Sequence, residues 1–154
     1  YSIFVVDTTD GSLDFYNKHR DQVPMVHINL EGESPDRHVA LGMEYVREQF
    51  LASKFSWWLN VEGDVIIPPT AITTMLHYAN GMDMVAAPYK HRTEDRWIDG
   101  CFGCSMFSRK IAEVSFADAP SDSHTDVFYR EKVIGKYRIS EMPRHVLQLE
   151  HLNA

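Results

Sequence analysis

The sequence contains no long apolar segment and has a deficit of positive charge. No apolar run approaches the ~20 residues of a membrane-spanning helix, and the start of the chain lacks a signal-peptide pattern. Among its 154 residues, 22 are acidic and 15 are Lys or Arg, so the formal charge is −7. A phosphate backbone repels such a protein, so no nucleic-acid partner is expected. These absences predict a cytoplasmic protein without a transmembrane segment.

Cysteine is also scarce, and the two that occur share one short segment, Cys101-Phe-Gly-Cys104. A zinc site needs about two further ligands, and none stands at a suitable spacing nearby. A redox pair is expected near the start of a helix in a thioredoxin-like unit, whereas this pair lies in a glycine-rich segment. We therefore expect two small buried thiols that line a loop.

The composition is that of an ordinary globular protein, with 44% hydrophobic and 24% charged residues. A chain of this length fits one domain with a sizeable core, so we expect a single domain over residues 1–154. The chain starts at Tyr1, inside a predicted strand. We therefore expect that N-terminal residues, including a first strand, are missing from it.

Strand and helix patterns alternate through the first half of the chain. Strands are predicted at residues 2–6, 25–30, 55–61 and 84–87, and helices at residues 13–21, 39–50 and 70–79. The predicted inner face of the second helix consists of Val39, Met43, Val46 and Phe50. The predicted inner face of the third helix consists of Ile72, Met75, Leu76 and Ala79. Such alternation calls for right-handed crossovers in a largely parallel sheet. We expect an α/β domain with a mostly parallel central sheet flanked by helices. Later in the chain, a polar loop is predicted at residues 89–100, a helix at 125–134 and short strands near 137–139 and 146–149.

Two carboxylates follow directly after a predicted strand. Residues 55–61 are mostly apolar, and Glu62-Gly63-Asp64 comes next. Gly63 leaves room for a ligand to approach the backbone. Paired carboxylates suit Mg²⁺ or Mn²⁺, which bind through one or two carboxylates and the phosphates of a substrate. An acidic turn between two strands is the alternative, but the flanking strand and the order of elements favour the metal site.

The order of motifs resembles that of nucleotide-sugar glycosyltransferases of the GT-A fold, most closely the family 2 type. Phe4-Val-Val-Asp7 and the Ser/Thr/Asp-rich turn after it resemble the family's second strand. Arg37 resembles the Arg that opens a helix near the nucleotide. Glu62-Gly63-Asp64 resembles the Asp-x-Asp metal motif at a strand end.

The second half of the chain extends the resemblance in the same order. The segment that starts with Asp99-Gly100 resembles the family's Gly-rich acceptor-side segment, and His124-Thr125-Asp126 resembles the start of the helix with the catalytic carboxylate. His151 falls where many members place a histidine ligand to the metal. Three features depart from the family pattern: Glu replaces the first Asp of the metal motif, Thr125 replaces an acidic residue, and the first strand is absent.

The resemblance implies a hexosyltransferase that moves a sugar from a UDP- or GDP-sugar to a hydroxyl of a carbohydrate or other acceptor. Transfer would invert the anomeric centre, with Asp126 as the general base. The residues implied in metal binding are Asp64, Glu62 and His151, and a nitrogen ligand favours Mn²⁺ over Mg²⁺. The residues implied in nucleotide-sugar binding are Asp7, Arg37, Glu62, Asp64, Asp99 and Gly100.

Other interpretations of these residues stay open. His151 could be an ordinary residue near the chain end, and His145 and His124 are then the competing metal ligands. Asp126 could serve solely to cap the helix or complement its dipole. Asp7 could be a turn residue. The cationic residues of the 89–100 loop, namely Lys90, His91, Arg92 and Arg96, could form a lid over the diphosphate or a solvated loop. Trp57 and Trp58 are expected to be core residues rather than a sugar platform.

Two other functions remain as alternatives. A nucleotidyltransferase uses a similar sheet and metal to join a nucleotide to a sugar phosphate. It normally carries a Gly-rich, Arg- or Lys-bearing phosphate loop after its first strand, and this chain shows none. A non-catalytic module that binds nucleotide sugars is the other alternative.

Overall fold

The computed structural model describes residues 2–8, 13–90, 95–98, 102–147 and 149–152. Its elements in chain order are β1 (Val5–Asp7), α1 (Asp14–His19), β2 (Met25–His27), α2 (Pro35–Ala52), β3 (Trp57–Val61), β4 (Val65–Ile66), α3 (Ala71–Tyr78), β5 (Met84–Ala86), β6 (Tyr89–Lys90), β7 (Trp97–Ile98), β8 (Cys104–Ser108), a 3-10 turn (Ile111–Glu113), α4 (Thr125–Val133), β9 (Ile139–Glu141) and β10 (Glu150–His151). They fall into two compact units, which we call unit 1 (residues 1–55 and 115–129) and unit 2 (residues 56–114 and 130–154). The single domain over residues 1–154 stays a prediction.

Unit 1 begins with a strand–helix–strand segment. β1 and β2 pair in parallel, with Val5 opposite Met25 and Asp7 opposite His27, and α1 connects them. The parallel pairing agrees with the sequence pattern, although both strands are shorter than predicted. β2 ends at His27, and the next backbone N–H, that of Ile28, still donates a hydrogen bond to the Asp7 carbonyl oxygen of β1 at 2.9 Å.

The long helix α2 starts where its sequence provides a cap. Ser34 accepts a hydrogen bond from the Arg37 backbone N–H, and Pro35 occupies the first helical position, where a missing N–H costs nothing. Its buried face includes Ala40, Met43 and Phe50. Val39, predicted to face inward, is exposed instead, because the buried face passes through the smaller Ala40.

Unit 2 contains a four-stranded sheet in the order β3-β8-β5-β9. β8 runs antiparallel to both β3 and β5, whereas β9 runs parallel to β5. The prediction of a mostly parallel sheet is therefore wrong, and the sheet is mixed. β3 and β5 share one direction, as the crossover through α3 requires. The antiparallel pair β6–β7 follows β5 in the chain. The next strand, β8, lies between β3 and β5 and runs in the opposite direction to both.

The core of unit 2 lies between α3 and the sheet. Its buried members are Ala71, Met75, Ala79, Val85, Ala87, Cys104, Met106, Met142 and Leu147. Burial of each large apolar side chain contributes about 1.5–3 kcal/mol. Ile72 and Leu76, predicted on the inner face of α3, are exposed, because the buried face follows a four-residue repeat through Ala71, Met75 and Ala79.

Two aromatic side chains of unit 2 pack against Phe107 of β8. Trp58 is buried and stacks on Phe107, with 4.8 Å between ring centroids, and Phe102 meets Phe107 edge-on at 5.8 Å. The prediction of a core role is confirmed for Trp58. Cys104 is likewise a buried free thiol, 3.5 Å from the sulfur of Met75, whereas Cys101 lies outside the described residues.

A buried carboxylate, Asp83, connects three segments of unit 2. Its side chain is 5% exposed and accepts hydrogen bonds from the Arg138 backbone N–H at 2.9 Å and from Lys110 Nζ at 3.2 Å. Burial alone would raise the pKa of Asp83, but these hydrogen bonds and the charges of Lys110 and Arg138 outweigh it, so the pKa is lowered. Asp83 is therefore a charged anchor in the folded protein.

Within the described ranges, no helix has both the length and the apolar character needed to cross a membrane.

Candidate functional site

Glu62, Gly63 and Asp64 form a tight turn, here called the acidic turn, between β3 and β4. β3 ends at Val61, and the Val65 N–H donates a hydrogen bond to the Glu62 carbonyl oxygen at 3.1 Å. Both carboxylates are half-buried. Apart from its two chain neighbours, no atom of the described residues lies within 4 Å of the position that a Cβ on Gly63 would take, so this part of the structure leaves room there for an approaching ligand.

The acidic turn is anchored to the segment before β8. The Glu62 N–H donates to the Gly103 carbonyl oxygen at 3.0 Å, and Asn60 Nδ2 donates to the Phe102 carbonyl oxygen at 2.9 Å. A Cβ at Gly103 would lie 2.5 Å from Cε1 of Tyr89, which is closer than packed carbon atoms can come. Only glycine therefore lets Tyr89 pack here without moving the backbone that holds Glu62.

The terminal strand β10 lies beside the acidic turn. β10 pairs antiparallel with β4, so that Glu150 is opposite Ile66 and His151 is opposite Val65. The Leu152 N–H donates to the Asp64 carbonyl oxygen at 2.8 Å. The backbone of His151 is thus held next to Asp64, although its side chain lies outside the described part of the structure.

The candidate ligands of the acidic turn combine oxygen and nitrogen donors. The set predicted from the sequence takes hard oxygen atoms from the carboxylates of Glu62 and Asp64 and an imidazole from His151, whose backbone lies on the paired strand. Such a mixed set fits Mn²⁺ better than Mg²⁺, which prefers oxygen. Among the side chains that the structure describes, no three His, Cys, Asp or Glu residues cluster closely enough to hold a metal ion. The described side chains do not include His151, so the three-residue set stays a prediction.

Unit 1 buries Asp7 and pairs it with a histidine. Asp7 Oδ2 lies 3.0 Å from His27 Nδ1, and the Asp7 side chain is only 2% exposed. The two residues end neighbouring parallel strands, at the edge where open α/β sheets bind ligands. Part of the Asp7 carboxylate is therefore engaged by His27, and its predicted contact with a nucleobase stays a prediction.

Arg37 binds backbone oxygen atoms within unit 1. Its Nη1 donates to the carbonyl oxygen of Ala117 at 2.7 Å and to that of Ala119 at 3.1 Å. Ser34 Oγ donates to the Ser121 carbonyl oxygen at 2.7 Å. Arg37 thus anchors the 115–121 segment on α2, a role that the sequence did not indicate. Its predicted contact with a nucleotide is not tested.

Glu44 anchors the beginning of the same segment. Its carboxylate accepts hydrogen bonds from the Phe116 N–H at 2.8 Å, from Ser115 Oγ at 3.2 Å and from Arg47 Nε at 2.9 Å. Burial would raise the pKa of Glu44, but the hydrogen bonds from Arg47, Phe116 and Ser115 and the charge of Arg47 lower it overall. α2 therefore holds the 115–121 segment at both ends.

Asp126 lies in the first turn of α4 and is half-buried. Its Oδ1 accepts a hydrogen bond from the Val127 N–H at 2.8 Å. This contact satisfies one of the first N–H groups of the helix, which have no partner inside it. It supports a helix-terminal role and leaves the role as a base untested.

The remaining predicted site residues are only partly covered by the structure. Asp99, Gly100, His91 and Arg92 lie outside the described residues. The proposed polar loop at 89–100 includes the paired strands β6 and β7, so it is not irregular throughout. Lys90 Nζ lies 2.8 Å from Asp95 Oδ1, and both side chains are largely exposed.

Several site features escaped the sequence-based reasoning. His27 could have been noticed as a second polar residue at the end of a parallel strand. The contact between Gly103 and Tyr89 and the hydrogen bond between Leu152 and Asp64 join residues far apart in sequence, and no local pattern signals them.

Comparisons with known proteins identify a fold rather than a family. No family model matches the sequence, and no curated protein matches it. Solved structures show that the chain has a mixed α/β fold with a central sheet flanked by helices.

One of these structures is that of A197 from STIV, with 18% identity, a TM-score of 0.63, and coverage of 100% of this chain and 87% of the other. Another, from Bacillus anthracis, is assigned as a glucose-1-phosphate thymidylyltransferase and was solved in complex with a sucrose. It has 10% identity, a TM-score of 0.57, and coverage of 97% of this chain and 70% of the other. At these identities the similarity establishes the fold alone.

Proposed function

We propose that this protein is a metal-dependent transferase that acts on nucleotide sugars, and specifically a glycosyltransferase of the hexosyltransferase type. The observation that carries the proposal is the position of β10, in which His151 is opposite Val65. Leu152 follows this strand directly, and its N–H donates a hydrogen bond to the Asp64 carbonyl oxygen. Two sequence motifs separated by nearly 90 residues are thereby neighbours in one unit. The fold shared with a protein assigned as a sugar nucleotidyltransferase supports the same substrate class.

The acidic turn is the proposed donor site. Asp64 would coordinate a divalent ion directly, Glu62 would bind it through water or hold the ribose, and His151 would add a nitrogen ligand. A divalent ion at this site supplies neutralisation of the charge that develops on the leaving diphosphate. The open side of Gly63 leaves space for the phosphates. The proposed donor is a UDP- or GDP-sugar.

Asp126 is the proposed general base. Its carboxylate would accept the proton of the acceptor hydroxyl while the acceptor oxygen bonds to the anomeric carbon. The bond from that carbon to the diphosphate oxygen breaks, and the nucleoside diphosphate leaves with the electron pair. Attack opposite the leaving group inverts the anomeric centre. This assignment rests on sequence order in the resemblance and on the start of a helix, which favours an anionic side chain.

Nucleotidyl transfer is the second candidate, and the fold similarity to a protein assigned as a thymidylyltransferase favours it. In that reaction a sugar 1-phosphate attacks a nucleoside triphosphate, and pyrophosphate leaves. The same carboxylates would then bind the metal of the triphosphate. The order of the sequence motifs, rather than the fold, is the reason for placing glycosyl transfer first.

Product analysis separates these functions. The protein is incubated with Mn²⁺ and either a panel of UDP- and GDP-sugars or nucleoside triphosphates with sugar 1-phosphates. Release of a nucleoside diphosphate from a sugar donor, abolished by EDTA, is the expected result. Pyrophosphate release from triphosphate and sugar phosphate would instead assign nucleotidyl transfer. If neither product forms but a nucleotide sugar binds, the protein is a binding module.

A further inference from the structure

The first turn of α4 is tied to the first turn of α2 within unit 1. Thr125 is 3% exposed, and its hydroxyl donates a hydrogen bond to the Asp36 carbonyl oxygen at 2.8 Å. His124 Nδ1 lies 3.2 Å from Asp36 Oδ1, but this histidine side chain is 81% exposed. Exposed ion pairs contribute little, so the buried hydroxyl is the main connection.

A second buried contact fixes the same face of α4 one turn later. Tyr129 is fully buried and stacks on Phe116, with 4.1 Å between ring centroids and 8° between ring planes. Positions 125 and 129 lie one above the other on a helix because they are four residues apart. The buried face of α4 in unit 1 is therefore held by a hydroxyl at its start and by a ring one turn further on.

Asp126 directly follows this anchored face. Its Oδ1 already receives the Val127 N–H at 2.8 Å, so the side chain is oriented by its own helix. The place of the carboxylate then depends on where the first turn of α4 is held, and Thr125 holds that turn. A general base must lie within hydrogen-bonding reach of its proton, and a displacement of about 1 Å can lower the rate about 10²-fold.

We propose that Thr125 is the positioning residue for Asp126, acting through the hydrogen bond from its hydroxyl to Asp36. The proposal rests on the proposed glycosyltransferase function and deepens it. It also accounts for the threonine at position 125, where the resemblance leads one to expect an acidic residue. A carboxylate has no proton to donate to the Asp36 carbonyl, whereas a hydroxyl has one.

The test compares two variants. Thr125→Val keeps the side-chain shape but removes the hydroxyl that donates the hydrogen bond, whereas Thr125→Ser keeps this hydroxyl. The probe is the UDP- or GDP-sugar whose diphosphate is released with Mn²⁺, with water as acceptor. We expect Thr125→Val to lower kcat about tenfold or more. The KM for the nucleotide sugar should stay within about twofold of the wild-type value. Thr125→Ser should restore kcat to within about threefold of the wild type.

A second readout needs no substrate. Hydrogen exchange of the Val127 N–H reports the Asp126 contact, because this amide has no partner within the helix. We expect exchange to be about tenfold faster in Thr125→Val and near wild type in Thr125→Ser. Thr125→Ala replaces the valine variant in both assays if valine prevents folding.

Asp126→Asn separates this inference from the function on which it rests. If Asp126→Asn is strongly impaired but Thr125→Val has wild-type kcat and exchange, the positioning role is wrong and the base assignment survives. Equal loss of activity in the serine and valine variants also overturns the proposal, because the retained donor then makes no difference. Wild-type turnover in Asp126→Asn overturns both assignments.

Discussion

The backbone N–H of Leu152 donates a hydrogen bond to the carbonyl oxygen of Asp64 at 2.8 Å. This contact places the end of the described chain against the acidic turn. Because it joins backbone atoms, it is independent of the side chain at position 152. The backbone of the neighbouring His151 is thereby held opposite Val65, which directly follows Asp64 in the chain.

Removal of the Asp64 carboxylate should remove the metal dependence of nucleotide binding. We expect the wild type to bind UDP or GDP only weakly in EDTA, because two phosphates then face an acidic turn in a protein of charge −7. Calorimetry with and without Mn²⁺ measures the difference. Asp64→Ala should abolish it, and Glu62→Gln should weaken it less. Glu131→Gln, an exposed change on α4, is the control, and equal wild-type affinity in EDTA would contradict the metal role.

Asp126→Asn should lower turnover by roughly 10²-fold or more, since a general base typically contributes about 10²–10⁴-fold. Donor binding should stay nearly unchanged, because the amide keeps an oxygen for the Val127 N–H. Rates of diphosphate release across pH measure the effect. Asp122→Asn removes an exposed carboxylate nearby in sequence and should leave the rate unchanged. A wild-type rate and pH profile for Asp126→Asn would assign this residue to capping.

Protonation of Asp83 should lower the free energy of unfolding in acid. The pKa of Asp83 is lowered from 3.8, so its stabilisation is fully present above about pH 3.8 and is lost as the pH falls through the lower folded-state pKa. Asp83→Ala should cost about 1–3 kcal/mol at neutral pH, because the Arg138 N–H loses its buried partner. Urea denaturation at pH 7 and below pH 4 measures both effects. The variant should lose less stability over this acid range than the wild type, while the exposed control Asp21→Asn should match the wild type at pH 7.

Gly103→Ala should destabilise the protein by about 1–3 kcal/mol, since overpacking forces a backbone or side-chain shift. The new Cβ would lie 2.5 Å from Tyr89 Cε1. Gly63→Ala is the matched control, because no described residue other than its chain neighbours lies within 4 Å of the new methyl group. Its stability should stay within about 0.5 kcal/mol of the wild type. Thermal denaturation compares the two, and equal melting temperatures would show that Tyr89 moves aside freely.

The sequence predicted the local elements well and their assembly less well. The helix end before Gly81 and the strand before Glu62 are encoded by adjacent residues, and both appear in the structure. The cap at Ser34 was not predicted, and α2 begins at Pro35 rather than at Val39. The direction of β8 was not predictable, because Cys104–Ser108 has the same apolar character in either orientation. Its partners lie more than 40 residues earlier in β3 and about 20 residues earlier in β5.

The candidate site shows the same division. The acidic turn was visible because its carboxylates follow an apolar strand directly. The pairing of Asp7 with His27 depends on the register of two strands, and the role of Arg37 depends on carbonyl oxygens 80 residues away. Such contacts leave no periodic trace in the sequence.

The position of β8 also determines when unit 2 can begin to form during synthesis. Among the described strands of the four-stranded sheet, β3 pairs with β8 alone, and β5 pairs with β8 and β9. Neither has a strand partner in this sheet until the ribosome has produced Cys104–Ser108. For that interval their backbone edges are unpaired, a state in which nascent chains are prone to associate. Because the pairings are distant in sequence, formation of this sheet should be the slow step in folding of the unit.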